Sequence, residues 1–431
     1  MKIAIYTLGC KVNQYETQAM ERLLRARGHE IVDFSAAADA YVVNSCSVTA
    51  VSDQKSRQAL HKIRRERPGA ALALCGCYAQ THPEDMEGLD VDLVAGTGDR
   101  MGFIALLEKA AEERARVTAI DRAFDRREFE VLPAGGLEER TRAMLKVEDG
   151  CVNFCSYCII PYARGPVRSL PPERAAEQAA ALAAAGYREI VLTGIEISSW
   201  GADLKNGLRL VDLIETVCAA APGVRIRLGS LEPRTVTEDF CRRCAALPDL
   251  CPQFHLSLQS GCDETLRRMN RKYGATRYLQ SVELLNRYFG RPALTTDLIA
   301  GFPEETEEEF AETLDFIRKC GFARMHIFPY SVRPGTPAAK MAQVPKAVKA
   351  ERARRASAAA EEMRASYLQG CVGETYSVLF EQPKEGRFSG HAPNYMEVLA
   401  GTAEAALHNQ LRNVRITGTD GEILTGEILE D

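Results

Sequence analysis

Between residues 143 and 331 the chain repeats one unit six times, a short apolar β-forming run followed by a helical pattern, and no other feature restricts its fold as strongly. The candidate strands are AMLKVED (143–149), EIVLTG (189–194), VRIRLGS (224–230), FHLSLQS (254–260), ALTTDLIAGF (293–302) and ARMHIFPYS (323–331). Helical stretches such as ERAAEQAAALAAAG (173–186) and TEEEFAETLDFIRKCG (306–321) lie between them. Successive parallel strands joined by crossover helices predict a curved, partial (β/α)6 barrel, with chemistry gathered at the carboxyl ends of its strands.

The flanks read differently. Residues 1–115 also alternate, through KIAIYTLG (2–9), EIVDF (30–34), DAYVVNSC (39–46), ALALCGCYA (71–79) and VDLVAG (91–96). A helix with apolar Met20, Leu23 and Leu24 ends at Gly28, and a basic helix over 51–67 stops at Pro68. This predicts an α/β domain with a parallel sheet. Residues 116–140 are charged and aperiodic, carry PAGG (133–136), and are expected to be a linker. The barrel with its trailing helix is expected over 141–369. Short alternating runs in 370–431, such as ETYSVLFE (374–381) and NVRITG (413–418), predict a small β-barrel.

Composition narrows the function classes. No run approaches the ~18 apolar residues of a membrane span, and no cleavage signal follows the first strand. A cytoplasmic protein without membrane contact is expected. The net charge of −5 rules out a globally basic nucleic-acid binder, though not local basic patches. Fourteen cysteines in a reducing compartment argue for metal binding or catalysis over disulfides.

Three of those cysteines crowd into DGCVNFCSYC (149–158). Cys151, Cys155 and Cys158 can hold three corners of a cubane [4Fe–4S] cluster and leave the fourth iron open to a ligand. Structural zinc would need a fourth thiol or imidazole, and residues 159–180 offer none. Tyr157 places an aromatic ring beside the cluster. A second set, Cys10 in TLGCKVN, Cys46 in NSCSV and Cys77 in CGCYAQ, follows strand ends in the first domain and predicts a second cluster. Cys75 points to the other face of its strand and is read as structural. The pair Cys241 and Cys244, with Cys251, lacks a fourth ligand and is read the same way.

Cys-x3-Cys-x-aromatic-Cys after the first barrel strand resembles the radical S-adenosylmethionine (SAM) superfamily. There the amino and carboxylate groups of SAM chelate the open iron, and one electron cleaves the sulfonium to a 5′-deoxyadenosyl radical. The resemblance implies SAM contacts from Thr193, Gly194, Ser230, Glu232, Gln259, Ile299 and Gly301. TLGCKVNQYET, NSCSVT, GCYAQ, GCVNFCSYCIIPYARGPVRS, LSLQSGCDETLRRMNR, TDLIAGFPEETEEEF and FPYSVRPGTPA resemble the methylthiotransferases over nearly the full length. That family joins an N-terminal auxiliary-cluster domain, a radical SAM barrel and a C-terminal TRAM β-barrel. GCKVNQYET is similar to its threonylcarbamoyladenosine tRNA branch, whereas GCQMN marks the isopentenyladenosine branch and GCPKN the ribosomal-protein branch. Glu304 stands where the family has glycine in GFPGET, and IEISSWG (195–201) is less typical of it.

The resemblance implies two [4Fe–4S] clusters, SAM, an anticodon-loop tRNA substrate, and an electron donor such as flavodoxin or ferredoxin. A monomer is expected. Carbon 2 of adenine carries a C–H bond that no side-chain base activates, so sulfur insertion there needs hydrogen-atom abstraction and a sulfur donor held close by. Arg164 and Arg168, just after the cysteine loop, are expected to grip RNA, with the C-terminal barrel holding the tRNA. His255 and His326 are expected on the barrel wall.

Overall fold

The structure is a computed structural model that describes residues 1–113, 116–135, 141–402 and 406–430. Part of the expected linker, 136–140, lies outside the described residues. The first domain runs β1 (Lys2–Thr7), α1 (Lys11–Ala26), β2 (Glu30–Val32), β3 (Ala40–Ser45), α2 (Ala50–Glu66), β4 (Ala71–Gly76), α3 (Cys77–Thr81), α4 (Pro83–Met86), β5 (Leu93–Ala95), α5 (Arg100–Glu113) and β6 (Val117–Ala119). Its sheet has the order β2-β1-β3-β4-β5-β6, with every pair parallel. Strands β3 and β4 are buried throughout, as near-continuous apolar runs require when helices cover both faces. Residues 117–119, expected in the linker, instead extend this sheet as its edge strand.

The barrel opens with β7 (Arg142–Lys146), β8 (Glu148–Asp149), α6 (Ile160–Arg164), β9 (Arg168–Ser169), α7 (Pro172–Ala184), β10 (Glu189–Thr193) and α8 (Leu210–Ala220). It continues with β11 (Arg225–Leu228), β12 (Ser230–Leu231), α9 (Glu238–Ala245), β13 (Gln253–Leu256), α10 (Asp263–Arg268) and α11 (Ala275–Phe289). Then follow β14 (Ala293–Ala300), α12 (Glu307–Cys320), β15 (Arg324–Pro329) and the long helix α13 (Lys346–Gln369). Two parallel sheets result, β7-β10-β11 and β12-β13-β14-β15. They meet where the expected strand 224–230 breaks at Gly229, whose N–H donates to the Leu192 carbonyl, so one strand run serves both sheets and the six expected strands form one curved wall.

Helices pack on the outside of this wall through Ile190, Leu192, Ile226, Leu228, Phe254 and Leu298, with Leu182, Ile214 and Leu285 among their partners. Cys241 and Cys244 lie buried in that core, as the structural reading expected. The chain ends in a closed barrel of β16 (Thr375–Lys384), β17 (Arg387–His391), β18 (Glu397–Ala400), β19 (Leu411–Thr419) and β20 (Leu424–Ile428), ordered β16-β17-β18-β20-β19. Its core of Val378, Phe380, Phe388, Val414 and Ile416 continues into Ala293 and Ala323 at the base of the larger barrel.

Candidate active site

Parallel pairing brings the first cysteine set together. Thr7 lies opposite Asn44, Asn44 opposite Cys75, and Ser45 opposite Gly76, so β1, β3 and β4 end side by side. Cys10, Cys46 and Cys77 follow those three ends, at the place where strand order reverses and open α/β sheets put their ligands. Two glycines allow the approach. Gly9 has φ +103° and a Cβ there would sit 2.7 Å from Cys46 Sγ; Gly76 has φ +98° and would meet the Ser45 carbonyl at 2.5 Å. The strand expected over 71–79 ends at Gly76, and Cys77 instead opens α3. Cys75 faces the core and leans on the Asn44 side chain.

The second set occupies the loop after β8. Cys151 N–H donates to the Gly165 carbonyl and Cys158 N–H to the Cys155 carbonyl. Ser156 Oγ donates to the Arg268 carbonyl at 2.7 Å, and Arg271 donates to Cys155 Sγ at 3.2 Å. The loop therefore leans on RRMNR (267–271), which sequence reasoning quoted only as family pattern. Tyr157 meets Phe302 edge-on at 6.4 Å and joins Ile299 in a small apolar cluster with Met269 and Tyr330.

Helix α3, which starts at Cys77, packs against α6, which starts two residues after Cys158, so the two cysteine sets face each other across the domain boundary. Burial pushes the Cys46 thiol up to about 12, with Cys77 as the next cause. Burial likewise pushes Cys158 up to about 12, with Cys155 beside it, and raises Cys151. Thiols that burial and mutual repulsion hold protonated form a donor set suited to a compact positive centre that ionises them together. Among the described residues no three histidine, cysteine or carboxylate side chains converge tightly enough for a single metal ion. In a cubane each thiolate binds a different iron, so the donors fit that group.

Between the two sets lies a buried ion network. Glu16 of α1 accepts from Arg100 at 2.9 Å, from Lys146 at 2.9 Å and from Arg164. Asp149 pairs with Lys146 at 2.9 Å and with Arg168 at 3.2 Å. Arg100, Lys146, Arg164 and Arg168 thus gather around Glu16 and Asp149, with Glu130 accepting from the Arg100 backbone N–H, and Arg164 opposes the burial that raises the Cys77 thiol. This corrects the RNA role expected of Arg164 and Arg168. They are 0% and 3% exposed, because Glu16 and Asp149 draw both guanidinium groups inward. Asn13 and Glu16, inside GCKVNQYET, escaped sequence reasoning because only the folded domain pair supplies their partners. Asn13 donates to the Leu8 and Ser45 carbonyls and accepts from Arg164 at 2.8 Å.

Beside the barrel cysteines a polar cavity of about 250 Å³ is lined by Asn153, Glu196, Ser198, Ser199, Glu232, Arg234 and Thr235. Of the expected SAM residues, Glu232 lines it and accepts from Arg234 Nε at 2.8 Å. Burial pushes the Glu196 carboxyl up to about 7 against the pull of Arg271. Glu196 and Ser198 belong to the IEISSWG stretch that departs from the family pattern. Thr193 and Gly194 end β10, where the Gly194 backbone lies so close to Glu148 that a Cβ would be 2.8 Å from Glu148 Oε2. Ser230 is exposed at the start of β12, and Gln259, at φ +71°, donates to the Asp297 carbonyl. Gly301 does not line this cavity; its N–H donates to Glu305, and a Cβ on it would sit 2.6 Å from Lys349 Cγ of α13. His255 and His326 lie on the barrel wall with ring centroids 6.4 Å apart.

A curved parallel wall carrying a three-cysteine loop beyond its first strand defines the radical SAM class, and the model of the Radical SAM superfamily matches residues 145–317. A second model, described as uncharacterized protein family UPF0004, matches residues 2–96. Among curated proteins the chain is 39% identical to threonylcarbamoyladenosine tRNA methylthiotransferase MtaB of Bacillus subtilis strain 168, covering 92% of this chain and 90% of that one. It is 35% identical to the protein of that name from Thermotoga maritima, covering 92% and 90%. A tRNA-2-methylthio-N(6)-dimethylallyladenosine synthase of Desulfitobacterium hafniense is 32% identical, over 100% and 98%. The chain belongs to the methylthiotransferase family of radical SAM enzymes, and membership brings with it a [4Fe–4S] cluster and SAM. Its fold is shared with the radical SAM methyltransferase TsrM of Kitasatospora setae, at 16% identity and TM-score 0.57 over 89% of this chain and 79% of that one.

Proposed function

We propose that the chain methylthiolates tRNA, converting threonylcarbamoyladenosine beside the anticodon to its 2-methylthio derivative. The observation that carries the reading is the pair of cysteine sets facing each other across α3 and α6, one on each domain. Cys151, Cys155 and Cys158 would hold the radical-generating cluster, and Cys10, Cys46 and Cys77 a second. When bound, these groups supply one-electron cleavage of SAM and a place to hold sulfur.

The protein's own residues do the rest. Arg271 fixes Cys155 through its hydrogen bond to Sγ. Glu196, Ser198 and Glu232 present acceptors to the hydroxyl and amino groups of SAM in the polar cavity. Phe124, Phe154 and Tyr162 form an exposed aromatic group at the cysteine loop, Phe124 stacking on Phe154 at 6.2 Å and Tyr162 meeting both edge-on. Such rings suit unstacked anticodon-loop bases, a role Arg164 and Arg168 cannot fill. The enzyme works in the cytoplasm as a monomer and takes electrons from a donor such as flavodoxin or ferredoxin. No helix among the described residues is long and apolar enough to cross a membrane.

The test offers anaerobically reconstituted enzyme two anticodon stem-loops, one carrying threonylcarbamoyladenosine and one isopentenyladenosine, and reads the nucleosides by mass spectrometry. The expected result is 2-methylthio product from the first. Product from the second alone would move the enzyme to the other branch.

A further inference from the structure

A second cavity, of about 320 Å³, lies inside the curved wall, apart from the polar cavity beside the cysteine loop. Met144, Val191 and Arg227 form one row across β7, β10 and β11 and make its floor. Lys11, the residue after Cys10, enters from the first domain, and Glu381 and Tyr395 of the C-terminal domain complete the wall. All three domains therefore build this one space.

Its charge is unbalanced. Arg227 forks onto Glu189 at 2.7 and 2.9 Å, and Arg142 pairs with Glu381 at 3.0 Å. Both guanidinium groups also lie over the Tyr395 ring, at 4.5 and 5.1 Å from its centroid. Arg225 donates to the His391 and Ser377 carbonyls. Lys11, Arg142, Arg225 and Arg227 thus face Glu189 and Glu381, two cations in excess. The Lys11 side chain has no hydrogen bond or ion pair among the described residues and is exposed. An anionic guest would give this side chain a partner and offset the excess of cations.

We propose that this cavity receives a carboxylate on the substrate nucleoside's N6 substituent, with Lys11 as its direct partner and Arg142 and Arg227 as a cationic wall. The inference rests on the reading of the substrate as threonylcarbamoyladenosine. A threonylcarbamoyl group ends in a free carboxylate, whereas an isopentenyl group is apolar and gains nothing from uncompensated cations. The volume is at the lower end for a small-molecule site and suits an amino-acid-sized group. A backbone phosphate is the other anion that could reach Lys11, and the test separates the two.

The experiment compares two anticodon stem-loops, one carrying threonylcarbamoyladenosine and the other the same nucleoside with its carboxylate converted to a primary amide. The amide keeps every phosphate. Reconstituted wild type, Lys11→Gln and Arg142→Gln are assayed for 2-methylthio product, with iron content measured for each. The wild type should prefer the carboxylate substrate. Lys11→Gln should lose about 10- to 100-fold in kcat/KM on it, mainly through KM, and little on the amide. Arg142→Gln, on a strand remote from the cysteine loops, should show a smaller loss with the same selectivity, and carries the test if Lys11→Gln loses iron. Equal losses on both RNAs, with a flatter salt dependence, would assign Lys11 to a phosphate and overturn the proposal. Wild type indifferent to the carboxylate would overturn it too. Wild type inactive on both RNAs but active on isopentenyladenosine would instead overturn the substrate reading beneath it.

Discussion

Glu16 shows how much one side chain can hold. It is 1% exposed and accepts from cations of both domains, Arg100 from its own and Lys146 and Arg164 from the barrel. Removing one member of a buried ion cluster leaves the others uncompensated, at a cost of about 3–5 kcal/mol. Glu16→Ala should lower the stability of the reconstituted protein by that order in urea denaturation, and should weaken the iron site proposed at Cys10, Cys46 and Cys77, because Arg164 loses its anchor. Glu16→Gln keeps the shape but not the charge and should fall between. Unchanged stability in Glu16→Ala would mean the network does not join the domains.

At the scale of elements, the stretch GFPEET (301–306) carries two separable effects. Glu304 has φ +65°, a conformation that costs a side-chain residue about 1 kcal/mol and glycine almost nothing. The family's glycine at this position has its physical reason there. Glu304→Gly should therefore raise the melting temperature, with a gain of about 1 kcal/mol less the extra freedom of glycine in the unfolded chain. Next to it, Glu305 is buried and accepts from Arg352 and from the Gly301 N–H, both at 2.9 Å. Burial pushes its carboxyl up to about 7 against the pull of Arg352. Between pH 4.5 and about 7 the folded protein thus keeps a proton that the unfolded chain has released. Its contribution is full below that window and is lost as pH rises through it, by about 3 kcal/mol at most. Glu305→Gln should flatten this fall, measured as denaturation midpoints across the window.

For the whole molecule, the decisive quantity is iron. Two cubane clusters require about eight iron atoms per chain. Replacing Cys151, Cys155 and Cys158 by Ala should leave about half, and replacing Cys10, Cys46 and Cys77 should leave the other half. A triple variant that kept all its iron would remove its set from the assignment. Because α3 and α6 pack together and the ion network links the domains, chelating the iron should also loosen the boundary between them, read as faster amide exchange in α1 and α6.

The sequence by itself determined the three domains' fold classes, the six barrel strands and the strand-end positions of both cysteine sets, because hydrophobic periodicity and motif spacing are local properties of the chain. Strand ends were legible to a few residues. The breaks at Gly229 and Gly76, and the added strand at 117–119, were not, because each depends on a neighbour far away in sequence. Only the tertiary structure decided what the polar residues do. Arg164 and Arg168 read as free cations beside the chemistry, yet Glu16 and Asp149 bury them. Lys11, unremarked in GCKVN, lines the cavity shared by the three domains, with no side-chain partner among the described residues. A charge's role is set by which opposite charge reaches it and how much water remains, and for Arg164 that charge, Glu16, comes from a segment 148 residues away.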